Sequence, residues 1–578
     1  MRSRSALAGV LIAVVSACIS PSPQVQSPSP SASAGGPAVG GPGSGGRVVV
    51  GDTAEAKVLN PVLATDFPSA TVITMLYASL VTVDAATGEA RPNLAEKWTV
   101  SLDGMSYVFT LRDGLVWSDG SPFTGEDFKV TVEAVMRSAK TTRKDIFQYV
   151  AGAKQFADGT AADIAGIAVR GREITVRLEK PFCPALTGIG TFAIIPRSVF
   201  GRYLDPADRA RNVDDAVENT KPTISMGPFV FKEWVPNDHI TLTRNARYFK
   251  GPPLLEEITF KLLPDAPALV SALRSGQVDV ASVDPADRDG LVAAGTLDLY
   301  RVGGRSYTYI GWNELRGGKE FFQDRAVRQA LAYGLDMDAV IDQVLLGEGT
   351  RQVVHSLPVY WSYDGAGLNT YGFDAKKAAD LLEGDGWRRG IDGIYAKNGT
   401  RLSFSIVTNS DNKVRQRLLQ FATDQYKQIG IEVEPKVESF EALVDRVTKS
   451  KDPTYGGKGG HDYDAVILGW SLGTDPDGYS VWHSSQIDGG YDFVGYGNDV
   501  VDKALEDGRT MCQPDQRKAA YKTFDRELNE DQPYNFGFAP NTLVFVNERF
   551  DGPAPGPFGG ASGAGLAFWN IETWRVAR

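Results

Sequence analysis

LAEKWTVSLDGMSYVFTLRDGLVWSDGSPFTGEDF, residues 94–128, contains two short patterned runs joined by tight-turn signals. From Tyr107 to Trp117 apolar and polar residues alternate, the period of a strand with one buried face. Asp113-Gly114 interrupts that run as a turn. Trp117 with Asp119-Gly120 reads as the support of a second strand turn rather than as a ligand contact.

Outward from this segment, ITVRLEKP (174–181), ITLTRNARYF (240–249) and LEEITFKLL (255–263) are strands of the same kind. ALVSALRSGQVDV (268–280) puts Leu269, Val270 and Leu273 on one helical face, stops at Gly276 and runs into a short strand. DRAVRQALAYGLDMDAVIDQVL, KKAADLLEGDGW and RQRLLQFATDQYKQIGIEVEP are helical patterns, the last two leading through Gly toward strands, as in an α/β lobe. DYDAVILGW (462–470) is short and apolar enough for a buried strand, with Trp470 at its C-terminal end. Ligands usually bind at such strand ends.

The 578 residues, 42% hydrophobic and 23% charged, can bury large cores and suggest about three or four domains. A net charge of -11 and a pI near 5.1 exclude a general phosphate-backbone binder, so no nucleic acid is expected. The first residues carry Arg2 and Arg4, an apolar run from Ala6 to Val15 and small residues before Cys18, the pattern of an export signal too short to span a bilayer. Val15-Ser16-Ala17-Cys18 resembles a bacterial lipoprotein cleavage box, so residues 1–17 are expected to be a signal peptide and Cys18 the lipidated first residue of the mature chain. The Ser, Pro, Gly and Ala tract up to Gly46 reads as a solvated tether. Cys183 and Cys512 could pair in an oxidising compartment, but two buried free thiols are expected.

Most chemistry is screened out. Asp475, Asp477 and Gly478 fit three places of a calcium loop, but its first and twelfth places would be Gly473 and Ser484, where acids are needed. Four histidines without ligand spacing argue against zinc, so no metal site is expected. There is no P-loop and no Gly-x-Ser-x-Gly elbow. Gly188-Ile189-Gly190 fits a dinucleotide pattern only loosely, with Pro196 interrupting soon after. What remains is two aromatic clusters, Trp470, Tyr479 and Trp482, and Tyr307, Tyr309 and Trp312, either core or pocket wall.

Residues 94–128 closely resemble the hallmark segment of family 5 extracytoplasmic solute-binding proteins, the receptors of peptide and nickel ABC importers. The likeness continues through SMGPFVFKEW, LTRNARYFKGP, ALRSGQVDV, YIGWN, ADLLEGDGW, YKQIGIEVE and WSLGTDPDGYSVWHSSQ. It implies an α/β clamp of the periplasmic-binding-protein type II kind, two lobes joined by a hinge, with an inserted subdomain. Residues 47–77, 182–304 and 546–578 would form the first lobe, 78–181 the insert and 305–545 the second lobe. The hinge crossings would lie near Gly303-Gly304 and Val546.

By the same resemblance the function would be capture of di- or oligopeptides outside the cytoplasm and delivery to a membrane permease served by separate ATPases. The receptor would be a monomer without catalysis or cofactor, held to the membrane by its lipid. A peptide would lie extended between the lobes, paired through its main chain. Asp66, Phe67 and Pro68 would offer main chain from the first lobe, Tyr307 and Trp312 would line the second, and Trp470 would flank the ligand's amino end, beside Tyr479 and Trp482. Peptide receptors of the family carry an acid three residues after that tryptophan, where this chain has Gly473. Asp475 and then Asp477 are the nearest substitutes for pairing an α-ammonium. Same-fold receptors for oligosaccharide, opine or nickel chelate remain alternatives, and a secreted hydrolase or a signalling receptor is the alternative of another class.

Overall fold

The computed structural model describes residues 45–205, 207–209, 211–315, 318–448, 462–487 and 490–577. Residues 1–44, with the expected signal peptide, Cys18 and nearly all of the expected tether, lie outside the described residues. Among the described residues no helix is long and apolar enough to cross a membrane.

The hallmark segment builds one edge of a four-stranded antiparallel sheet. Ala95–Val100 pairs with Ser106–Leu111, which pairs with Glu173–Arg177, itself beside Ile167–Arg170. Tyr107, Phe109 and Leu111 alternate into the core while their neighbours stay half-exposed. At Asp113-Gly114 the chain turns with Gly114 at φ +67°, a conformation glycine adopts without a Cβ clash. The second turn is held as its residues suggest. Trp117 is buried against Phe123, Gly120 N–H donates to the Trp117 carbonyl, and Asp119 accepts from Ser121 N–H and Oγ–H. Thr124 then caps helix Gly125–Arg137 in a reciprocal box with Asp127.

A twelve-stranded mixed sheet forms the rest of the frame. Its spine is the strand Tyr534–Asn547. The first part of the spine pairs with Ser306–Trp312 and Gly349–Arg351, and the remainder pairs with Val280–Val283 and Leu297–Gly303. Pairing switches between Pro540 and Asn541, ahead of Val546. The other passage between halves runs through Gly304 and Arg305, between the strands Leu297–Gly303 and Ser306–Trp312. Each half therefore has its own neighbours. Arg47–Asp52 lies parallel to Glu257–Leu262 on one side, and Ala465–Ser471, Ser403–Asn409 and Glu432–Glu438 lie on the other.

The cores divide the same way. One apolar cluster unites Val48, Leu76, Phe109, Trp117, Phe229 and Trp574, so the four-stranded sheet is continuous in packing with the Arg47–Asp52 half. The other half is packed on both faces. Period-two alternation along Ser306–Trp312 sends Ile310 and Trp312 to a core with Phe404 and Tyr426, and Tyr307 and Tyr309 to a core with Tyr534 and Trp482. Two bodies whose interiors are separate except where Phe558 of the C-terminal tail packs on Tyr360, joined through one spine strand and one short crossing, have the architecture of a hinged clamp.

The expectation of two free thiols is overturned, because Cys183 and Cys512 are bonded to each other. Cys183 is buried, but Cys512 is only half-buried, in the turn between helices Asp499–Thr510 and Pro514–Asp531. The Cys183 N–H donates to the Arg509 carbonyl at 2.7 Å, which brings the two cysteines together despite 329 residues of separation. Long-range docking of this kind leaves no local mark in a sequence.

Candidate functional site

Between the two bodies, beside the Gly304-Arg305 crossing, lies a cavity of about 530 Å³. Its first wall comes from Thr65 to Phe67 and from Ala70, at the start of helix Phe67–Leu76, with Arg143 and the segment around Ser562. Asp66 caps that helix, accepting from Ser69 N–H and Oγ–H, each at 2.8 Å.

The facing wall is the end of strand Ala465–Ser471 and the loop after it. Leu472 N–H donates to the Arg305 carbonyl at 2.7 Å, and Trp470 stands opposite Tyr307 in the antiparallel register. Alternation then turns the N–H and C=O of Gly469 and Ser471 toward the other edge. The neighbour on that edge, Ser403–Asn409, pairs in register only with Ala465 and Val466. The cavity is thus bordered by a strand edge that has run past its neighbour, the usual means of holding an extended chain by its main chain.

Trp470 lines the cavity, its ring stacked near Phe493 at 5.4 Å and Tyr309 at 6.2 Å, with its indole N–H toward Tyr534 Oη at 3.4 Å. Asp475 and Asp477 also line it, but neither is a free carboxylate. Arg517 grips Asp475 with both terminal nitrogens, at 2.6 and 3.0 Å. Arg509 grips Asp477 at 2.7 and 2.8 Å and lies 3.7 Å over the Tyr479 ring. Burial opposes the charge on Arg517, but Asp475 and Tyr521 beside it more than offset this and raise its pKa.

Several sequence-derived candidates stand elsewhere. Trp312 is fully buried against Phe322 and Phe404 and is core rather than wall. Trp482 is likewise fully buried, packed on Tyr534 at 4.5 Å. Tyr307 lies behind the wall, its hydroxyl 2.9 Å from His355 Nδ1. Tyr479 borders the site through Arg509 without lining it, and Pro68 lines a smaller adjoining cavity of about 90 Å³ that shares Phe67. The aromatic clusters look alike as sequence because large rings serve both core and wall, whether on the strand Ser306–Trp312 or on the short helix Tyr479–Trp482.

Other lining residues escaped sequence reasoning, among them Arg143, Arg305, His355 and Tyr360. Burial pushes the His355 imidazole down to about 3, so this ring is neutral near pH 7. Tyr360 donates its hydroxyl to the Gly473 carbonyl, pinning the loop where an acid was sought. Only Arg305 had a visible signal, its place directly after the glycine pair of the expected hinge.

Residues 89–491 match the model of bacterial extracellular solute-binding proteins, family 5, middle region. The chain belongs to this family. This solute-binding protein is 31% identical over 543 residues to the oligopeptide-binding protein AppA of Bacillus subtilis, covering 93% of each chain. The solved structure of that protein in complex with a nonapeptide superposes with a TM-score of 0.67 at 30% identity, covering 93% of this chain and 100% of the other. Protein XP55 of Streptomyces lividans is 29% identical over 522 residues, 89% of this chain and 87% of that one. NikZ from Campylobacter jejuni, solved with Ni(L-His), has a TM-score of 0.69 at 23% identity, covering 92% of this chain and 99% of that one, and bears on the fold alone. The solute-binding protein has the two-lobed α/β clamp of its family, with the four-stranded sheet standing apart from the twelve-stranded one. Its family is one of extracellular receptors for solutes rather than of enzymes.

Proposed function

We propose that this protein is the peptide receptor of an ABC importer, closing its two lobes on a di- or oligopeptide and presenting it to a membrane permease driven by separate ATPases. The observation that carries the reading is the strand edge at Gly469 and Ser471, which opens on the inter-body cavity and offers main-chain groups that any extended peptide can pair. Likeness to a relative solved with a nonapeptide supports it.

In this reading residues 47–77 and 182–304 with the C-terminal tail form the first lobe, 78–181 ride on it, and the second lobe closes about Gly304-Arg305 and Pro540-Asn541. Asp66, Phe67 and Trp470 border the ligand. Lipidated Cys18 and the Ser, Pro, Gly tether hold a monomeric body near the outer face of the cell membrane, within reach of its permease.

The test is titration of ligand-free protein with mixed-sequence peptide pools of graded length, followed by calorimetry and native mass spectrometry. Saturable binding of one peptide per chain is expected. Absence of binding at every length would remove the peptide reading.

A further inference from the structure

The charges that line the cavity are unequally committed. Its carboxylates are Asp66, Asp475 and Asp477, and its guanidiniums are Arg143 and Arg305. Asp475 is filled by Arg517 and Asp477 by Arg509. Asp66 has both oxygens engaged by Ser69 at the helix cap.

The two arginines are in the opposite condition. Arg143 donates from Nη2 to the Ala64 carbonyl at 2.9 Å, and Arg305 from Nη2 to the Gly560 carbonyl at 3.3 Å while lying 5.4 Å over the Phe558 ring. Among the described residues neither has a carboxylate at ion-pair distance. Burial lowers the pKa of both, opposed through space by Asp145 for Arg143 and by Tyr360 for Arg305. Each guanidinium has five N–H donors, so most remain available. A partly desolvated cation without a counter-ion is costly, and an anion entering the cavity would offset that cost.

We propose that the cavity selects ligands by a carboxylate held at Arg305 and Arg143 and makes no demand for a free α-ammonium, because Arg517 already occupies Asp475. The ligand class is a peptide with a free carboxylate whose amino end can be acylated or otherwise uncharged. The peptide part of this statement rests on the function proposed above. The charge preference rests only on the cavity.

The experiment titrates one mixed pentapeptide pool in its unmodified, N-acetylated, C-amidated and doubly blocked forms. Acetylation should change affinity less than threefold, and amidation should weaken it at least tenfold. Arg305→Gln should remove most of the amidation effect, and Arg305→Lys, which keeps the charge, should retain it. Arg517→Met should make acetylation costly by releasing Asp475. A tenfold loss on acetylation of peptides bound to the unaltered protein, or indifference to amidation, would overturn the inference while leaving the peptide function standing. A second probe needs no peptide: citrate should raise the Tm of the unaltered protein more than that of Arg143→Gln/Arg305→Gln. Equal citrate shifts overturn the anion site, whereas failure of every peptide pool with unequal citrate shifts removes the peptide reading alone.

Discussion

Cys183 and Cys512 tie the two bodies of the clamp together by a bond that neither chain crossing supplies. Cys183 stands beside Ala185 and Ile189 of the core that holds Val48 and Phe109. Cys512 follows helix Asp499–Thr510, whose Val501 and Leu505 belong to the core of Tyr534 and Trp482. A hinge alone lets two bodies swing apart, but a hinge with a covalent strap limits that swing. The Cys183→Ser/Cys512→Ser protein should therefore open further when empty, seen as a larger radius of gyration by small-angle scattering, and should release ligand faster. Identical scattering and release, with the unaltered protein confirmed as oxidised, would show that the strap does not limit the motion. Thermal stability should also fall, by up to about 5 kcal/mol on chain-entropy grounds for so long a loop.

The Asp475–Arg517 pair should behave as a buried couple. Asp475→Asn leaves a guanidinium that is 9% exposed without its counter-ion, at a cost of about 3 kcal/mol or more. Adding Arg517→Met should restore much of that loss, because the stranded charge goes with it. Urea denaturation of the two single variants and the double variant measures the coupling, and additive losses would mean that the pair contributes little.

How far the sequence could be read depended on whether a feature was local. Strand alternation at Tyr107–Leu111, the turn at Asp113-Gly114 and the buried run that opens strand Ala465–Ser471 are set by neighbours in the chain, and they stand where the pattern puts them. Trp470, at a strand end that is also local, lines the cavity. Its partners were not legible, since Arg517 lies on a helix beyond the loop it neutralises and Arg143 stands far upstream in the chain. Asp475 therefore looked available in sequence and is taken in space. Trp312 failed for the converse reason: one residue's shift along a strand exchanges core face for opposite face, and both faces of Ser306–Trp312 are buried.

Trp470→Ala should weaken every ligand whatever its end groups. The ring forms part of the cavity wall and packs with Phe493 and Tyr309, so truncation removes apolar contact and loosens the loop beside it. A loss of about 2 kcal/mol in binding is expected. Calorimetry with unmodified and acetylated peptides checks it, and a loss confined to unmodified peptides would mean that the ring acts through the amino end instead.

Asp525 should give the protein a stability that declines toward neutral pH. Burial pushes its carboxyl up from 3.8 to about 7, opposed only in part by the Ser356 main-chain N–H at 3.3 Å. Between those two pH values the folded chain keeps a proton that the unfolded chain has released, so raising pH favours unfolding. The penalty is absent below pH 3.8, grows across the window and is complete above about pH 7. Asp525→Asn keeps an acceptor for Ser356 and removes the buried charge. Its advantage over the unaltered protein should rise from near zero at low pH to on the order of a few kcal/mol at pH 8. His355, pushed down to about 3, contributes the opposite slope, but it does so in both proteins and cancels in the difference. Urea midpoints at pH 4.5, 6 and 8 measure this, and a stability difference that stays constant with pH would show that Asp525 does not titrate in the window.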